Sequence, residues 1–249
     1  MKTILIVIAI LLISPAFAED FDATADKIRA AMKSDIRSDA DTDRDRNRRP
    51  VKTLEFYALR DDMKVGERLP GGGWYTQILA PTLQEHGEFY AALGTGRVKE
   101  RLAGKPGFEE MNITAEDAKL WRPEGSRFYS LEVDGLGVTD ADIVFTFRNY
   151  HNFDAAGRAA MNKAAYDALK TGGVYAVVDH TRRHMESDGP ENRRRLDPVL
   201  AIKEIQQAGF ELVDFSDLHF RPDDELRYEV GRKTVTGNTD RWTLKFVKK

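Results

Sequence analysis

From Val51 onward the chain alternates short apolar runs with segments of helical period. "MKVGERL" (63–69) and "GEFYAAL" (87–93) read as the first two strands. Between them "WYTQILAPTLQEH" (74–86) reads as a helix interrupted or kinked at Pro81. "TAEDAKLW" (114–121) predicts a helix with Thr114 as N-cap and Asp117 in its first turn, and "RFYSLEV" (127–133) a third strand. "ADIVFTF" (141–147) is an almost unbroken apolar run, as expected of a fourth strand covered on both faces. In "AGRAAMNKAAYDALKTGG" (156–173) Met161, Ala165 and Leu169 share a helical face, and Gly172 and Gly173 end the helix. "VYAVVDH" (174–180) is a fifth strand. "DPVLAIKEIQQAGF" (197–210) starts a helix with Asp197 as cap and Pro198 at the first position, and stops at Gly209. "FELVDFSDL" (210–218) and "RWTLKFVKK" (241–249) are two closing strands with no helix between them.

Strands alternating with helices predict an α/β fold: a Rossmann-like, mostly parallel seven-stranded sheet with helices on both faces. The last two strands predict an antiparallel pair at one edge. This domain spans 51–249. Residues 19–50 read as an N-terminal arm, in which "DFDATADKIRAAM" can form a short helix marked by Phe21, Ile28 and Met32. "SDADTDRDRNRRP" (38–50) reads as a solvated linker or strap, or as arginines lining a ligand mouth. Ahead of the arm, Lys2, the apolar run Ile4–Ile13, the break at Ser14-Pro15 and the small residues Ala16 and Ala18 read as a secretory leader cleaved after Ala18. The expected location is periplasmic or secreted, with no stable membrane anchor after cleavage.

The 249 residues, 41% hydrophobic and 32% charged, suit an ordinary globular protein. With no cysteine, there are no disulfides and no lipid anchor through an N-terminal Cys. The formal charge of −3 moves to −4 when Lys2 leaves with the leader, a balance that argues against nucleic acid as a partner. The expected partner is a small molecule.

"PGGG" (70–73) falls between the first strand and the first helix of the sheet, where open α/β folds bind ligands. Glycine lets the backbone approach a ligand, and the following helix offers free N–H groups. No "GKS" or "GKT" follows, which argues against a nucleoside-triphosphate loop. Of the dinucleotide fingerprint only Gly71 and Gly73 are present, with Thr76 at the last glycine position.

The order of elements, Glu67 four residues before Gly71-x-Gly73, and the final strand pair resemble the class I S-adenosylmethionine-dependent methyltransferases. More narrowly, "PGGGWYTQILAP", "FRNYHNF", "VVDH", "AIKEIQQAGFEL" and "TDRWTLKF" resemble a family of exported bacterial proteins described as predicted methyltransferases, over roughly residues 45–249. The resemblance implies S-adenosylmethionine as cofactor. It implies Glu67, Gly71, Gly72, Gly73, Trp74 and Tyr75 as donor-binding residues, with Asp134, after the third strand, reading the adenine. Two positions depart from the pattern. Leu69 stands where the first glycine belongs. "FYAALGTG" lacks the acid that holds the ribose hydroxyls, a loss of about 1.5–3 kcal/mol for each charged bond.

In that fold the ends of the fourth and fifth strands converge beside the glycine turn, bringing together Asn149, Tyr150, His151, Asp179 and His180. Methyl transfer to oxygen or nitrogen needs an aligned acceptor and a base. His151 or His180 can be that base, with Asp179 orienting the imidazole. Tyr150 and Trp74 can shelter a sulfonium by cation–π contact. Each also has a bland reading as a cap, a packed ring or a loop fastener. His151, Asp179, His180 and His184 are possible metal ligands, but no compact ligand spacing is present and no metal is expected. Arg182, Arg183 or Arg195 can hold an anionic acceptor, and the resemblance favours Arg195 with Asp197 as a pair. The readings are therefore an exported methyltransferase acting on an unknown small molecule, a non-catalytic ligand-binding protein on the same fold, or a metal-dependent enzyme on that scaffold.

Overall fold

A computed structural model describes residues 15–249, with side chains from Phe21 onward. The apolar run Ile4–Ile13 of the leader lies outside the described residues.

Six strands of one direction and one antiparallel insertion build the central sheet. In chain order they are β1 (Lys64–Arg68), β2 (Glu88–Ala92), β3 (Met111–Thr114), β6 (Ala141–Phe147), β7 (Leu169–His180), β8 (Phe210–Ser216) and β9 (Arg241–Lys248). Their spatial order is β3-β2-β1-β6-β7-β9-β8. β9 runs antiparallel to both β7 and β8. The sequence therefore predicts the strand count, the antiparallel finish and the adjacency of β1, β6 and β7. The apolar β6 is the central strand its composition demands, because helices cover both faces. One core joins Val65, Ile78, Leu83, Phe145 and Val178 with Ile28 and Leu54. A second joins Val144, Tyr175 and Val177 with Ala165, Ile205 and Phe246.

Three expected elements are different. Residues 114–121 do not form a helix: Thr114 ends β3, and Lys119–Trp121 is an exposed strand, β4. "RFYSLEV" is not the third strand of the sheet. Its centre, β5 (Ser130–Glu132), pairs with β4 in a small antiparallel sheet, and only Leu131 of β5 is buried. The true third strand, "MNIT", is a four-residue edge strand half open to solvent, so it carries no long apolar run. The helix α7 (Ala155–Ala168) ends before the expected glycines, and Leu169 begins β7. Gly172 and Gly173 lie inside β7, where its register against β6 shifts between Ala141 and Ile143.

The N-terminal arm packs against the domain. Helix α1 (Pro15–Met32) buries Ile28 and packs Phe21 and Met32 against the core. Residues 38–50 are no solvated strap. They fold into two single turns, α2 (Asp39–Thr42) and α3 (Asp45–Arg48), that bury Asp41 and Arg48, and the preceding Arg37 is buried with them. Arg37 grips Asp45 with both guanidinium nitrogens, at 2.5 and 3.0 Å. Helix α4 (Pro50–Phe56) then leads into β1. Among the described residues no helix is long and apolar enough to cross a membrane.

Candidate functional site

The turn after β1 is shaped by backbone conformation. Leu69, Gly71 and Gly73 all have positive φ, at 54°, 61° and 77°. Leu69 thus takes the left-handed conformation that the missing glycine would take freely, at about 1–3 kcal/mol of local strain. The glycines are not equivalent. A Cβ on Gly73 would lie 2.8 Å from Val98 and 2.9 Å from Leu102, so this glycine lets α6 (Gly96–Leu102) pack under the turn. A Cβ on Gly72 would meet nothing within 4 Å.

That open space belongs to a cavity of about 230 Å³ lined by Glu67, Gly71, Gly72, Trp74, Phe147 and Asn149, among others. A neighbouring cavity of about 360 Å³ shares Leu69, Gly71, Arg97 and Asn149 with it and extends past Gly94 to Leu120 of the small sheet and to Tyr129. Together they form a cleft across the carboxyl ends of β1, β2 and β6. Glu67 is buried and accepts the Thr76 hydroxyl at 2.6 Å. Burial pushes its carboxyl up to about 7, against the opposing pull of Thr76 and the Arg48 charge.

The arm roofs the first cavity. Trp74 donates its indole N–H to the Asp41 carbonyl at 2.8 Å, and Arg101 reaches the Asp41 carboxylate at 2.6 Å. The guanidinium of Arg48 lies 4.2 Å from the centre of the Trp74 ring. Tyr75 stacks on Phe147 at 3.5 Å between centroids. The aromatic face expected to shelter a sulfonium is therefore covered by arginine at Trp74.

Across the turn, β6 and β7 end beside each other. Asp179 is fully buried. Its Oδ1 faces His151 Nδ1 at 2.5 Å and its Oδ2 accepts the His151 backbone N–H at 2.9 Å. The His180 N–H adds a bond of 2.6 Å. His151 Nε2 has no hydrogen-bond partner among the described residues. The rings of His151 and His180 are 5.7 Å apart. Burial, followed by the charges of Arg241, His151 and Arg148, drives His180 well below its ordinary value, so His180 is held neutral. Asn149 lines both turn cavities and ties the two loops together, donating to the carbonyls of Leu69 at 2.9 Å and Phe147 at 3.0 Å.

Three expected residues stand elsewhere. Tyr150 is fully buried on the far side of the sheet. Its hydroxyl donates to Glu204 at 3.1 Å and accepts from Asn162 at 2.8 Å, so it is a core fastener and not a sulfonium shelter. Asp134 follows β5 rather than β3, is exposed, and lines neither turn cavity. Arg195 does not pair with Asp197. It forms a fully buried fork with Asp224 at 2.8 and 3.0 Å and also bonds the Tyr228 and Thr181 carbonyls, leaving nothing for a ligand. Asp197 caps α8 (Pro198–Gln207) and holds His184, while Arg182 pairs with Asp188 and Arg183 reaches the Glu225 carbonyl. Among the described residues no group of three or more His, Asp or Glu is placed to hold a metal ion.

A group not assigned from sequence lies beside the dyad. Arg48, Arg148 and Arg241 gather with the exposed Arg44 around a further cavity that also reaches His180. Burial and mutual repulsion push Arg48 down to about 8 and Arg241 down to about 10. Guanidinium pKa values this low mark how unfavourable the gathering is. Arg44 and Arg48 belong to the segment whose arginines were one of two readings. Arg148 lies in "FRNYHNF" and Arg241 in "TDRWTLKF", and only the antiparallel pairing of His180 with Arg241 brings β9 to this end of the sheet.

No family model matches the chain, and no curated protein matches it in sequence. Solved structures do. A S-adenosylmethionine-dependent methyltransferase from Aquifex aeolicus superposes with a TM-score of 0.56 at 14% identity, over 89% of this chain and 97% of the other. A TehB-like methyltransferase from Corynebacterium glutamicum gives 0.51 at 14% identity, over 95% and 100%. The chain has the class I methyltransferase fold. The [4+2]-cyclase SpnF shares this methyltransferase fold, with a TM-score of 0.52 at 12% identity over 92% and 94%. Fold alone thus leaves the reaction to be argued from the site.

Proposed function

We propose that the chain is a S-adenosylmethionine-dependent methyltransferase that acts on a small molecule outside the cytoplasm. The observation that carries this reading is the meeting of two features at one end of the sheet. One is a glycine turn with its buried acid, opening on a cleft of ligand size. The other is a buried His–Asp pair with one imidazole nitrogen unengaged. The donor fits the residues present: Glu67, Gly71 and Gly72 would hold its methionine half, and Gly94, Leu120 and Tyr129 line the side where its adenosine would lie. The ribose position departs from the pattern, because β2 is followed by Leu93, Gly94 and Thr95, and Arg97 brings only donors. Export is supported by the leader pattern at Lys2–Ala18.

When bound, the donor supplies a methyl group on a sulfonium, ready for in-line displacement. The protein's part is alignment and proton removal. Asp179 accepts at His151 Nδ1, which leaves the Nε2 lone pair to take the acceptor's proton. The buried carboxylate then stabilises the imidazolium that forms. The arm, through Trp74–Asp41 and Arg101–Asp41, keeps water from one side of the cleft.

Calorimetry with S-adenosylhomocysteine tests the reading: binding at micromolar to low millimolar concentration is expected. No binding overturns it. The missing ribose acid favours one second reading, a binding protein that has lost transfer; binding without transfer of labelled methyl to any small molecule of a host periplasmic extract would select it.

A further inference from the structure

We infer that the arginine-lined cavity behind the dyad is a binding site for a doubly charged oxyanion, a phosphate monoester or a dicarboxylate, and that the methyl acceptor carries this group. The cavity, about 300 Å³, is lined by Arg44, Arg48, Arg148, Arg194, Arg241 and His180, with no Asp or Glu in its wall. Arg48 and Arg241 are 5% and 6% exposed. Such residues are rarely buried without a counter-charge.

Several other arginines in this protein have one, although Arg68, buried outside this cavity, has only the Tyr175 hydroxyl. Arg37 has Asp45, Arg158 has Glu204, Arg195 has Asp224, and Arg194 at the rim has Glu229. Among the described residues the side chains of Arg44, Arg48 and Arg148 make no hydrogen bond and no ion pair. Arg241 gives one bond, to the Asn47 carbonyl at 2.9 Å. The Nε atoms of Arg148 and Arg241 are buried and unpartnered. Asp179 is the nearby acid, and both its oxygens are engaged by His151 and His180. Guanidiniums converging from α3, the end of β6 and the start of β9 offer forked donors from three directions, the geometry that suits tetrahedral or paired carboxylate oxygens.

Position links the site to the reaction. Arg44, Arg48 and Arg148 also line the glycine-turn cavity, and His180 is the neighbour of His151. An oxyanion held here leaves the rest of the molecule beside the dyad and the donor cleft. The acceptor role rests on the methyltransferase reading; the anion site does not.

Thermal denaturation and calorimetry with sodium phosphate, phenyl phosphate and succinate, each against sodium chloride at equal ionic strength, test it. Phosphate or succinate should raise Tm where chloride does not, and the more effective of the two identifies the group. Arg148→Gln and Arg241→Gln should each weaken the anion about tenfold or more, while folding about as well as the parent without anion, since each removes a guanidinium that no acid pairs. Arg44→Gln, on the surface, should weaken it severalfold with no packing change. S-adenosylhomocysteine should bind equally with phosphate present. Equal responses in the parent and all three variants, or no shift beyond chloride, overturn the site. Displacement of phosphate by S-adenosylhomocysteine would assign the guanidiniums to the donor's carboxylate and overturn the acceptor role. Phosphate binding without any S-adenosylhomocysteine binding would uphold the site and reject the methyltransferase reading.

Discussion

Asp179 holds His151 at two points, accepting its backbone N–H at 2.9 Å and its Nδ1 at 2.5 Å. One carboxylate therefore fixes both the position of the loop and the orientation of the ring. His151→Ala should lower transfer of labelled methyl to small-molecule acceptors by about 10²–10⁴-fold and leave S-adenosylhomocysteine affinity unchanged. Asp179→Asn should lose both transfer and stability, because the amide cannot accept at both atoms. Full transfer by His151→Ala would remove the histidine from the reaction.

Glu67 predicts a pH dependence of stability. Its folded pKa of about 7 lies above the ordinary 4.5, so the folded state holds a proton that the unfolded state has lost between those values. Stability from this group is present below pH 4.5 and declines as pH rises towards 7. Glu67→Gln keeps the contact to Thr76 and removes the decline. Above pH 7 it should be more stable than the parent by about 3 kcal/mol, measured by urea denaturation across pH 4–9. Parallel curves for the two proteins would refute the shift.

The glycines separate folding from binding. Gly73→Ala brings a Cβ within 2.8 Å of Val98 at a positive φ, and should cost about 2 kcal/mol of stability. The Cβ of Gly72→Val would meet nothing within 4 Å, and this variant should leave Tm nearly unchanged. Its side chain would enter the cleft, so S-adenosylhomocysteine should bind about tenfold more weakly or worse. Undiminished binding by Gly72→Val would move the ligand away from the turn.

Tyr150→Phe removes a hydroxyl that joins Asn162 to Glu204 inside the sheet–helix interface. The expected cost is about 1–3 kcal/mol of stability, with methyl transfer unaffected once the protein is folded. A fall in transfer at unchanged Tm would return Tyr150 to the site.

The sequence by itself determined six of the seven strands of the sheet. The apolar run at 141–147, the capped helix at 198–207 and the paired finish at 210–216 and 241–248 follow from local periodicity and caps, which act over a few residues and are written in order. It also marked the glycine turn and the pairing of "NYH" with "DH", because strand ends in a known order meet predictably. Tertiary structure alone decided what faces the cleft. Tyr150 and His151 are neighbours in sequence, yet a single turn of 3₁₀ helix sends one into the core and the other to Asp179. The short edge strand 111–114 gains its identity from pairing with β2 rather than from its own residues. The arginines of the site come from positions 44, 48, 148 and 241. No local pattern joins them, because their meeting depends on the arm folding back over the turn and on β9 running antiparallel beside β7.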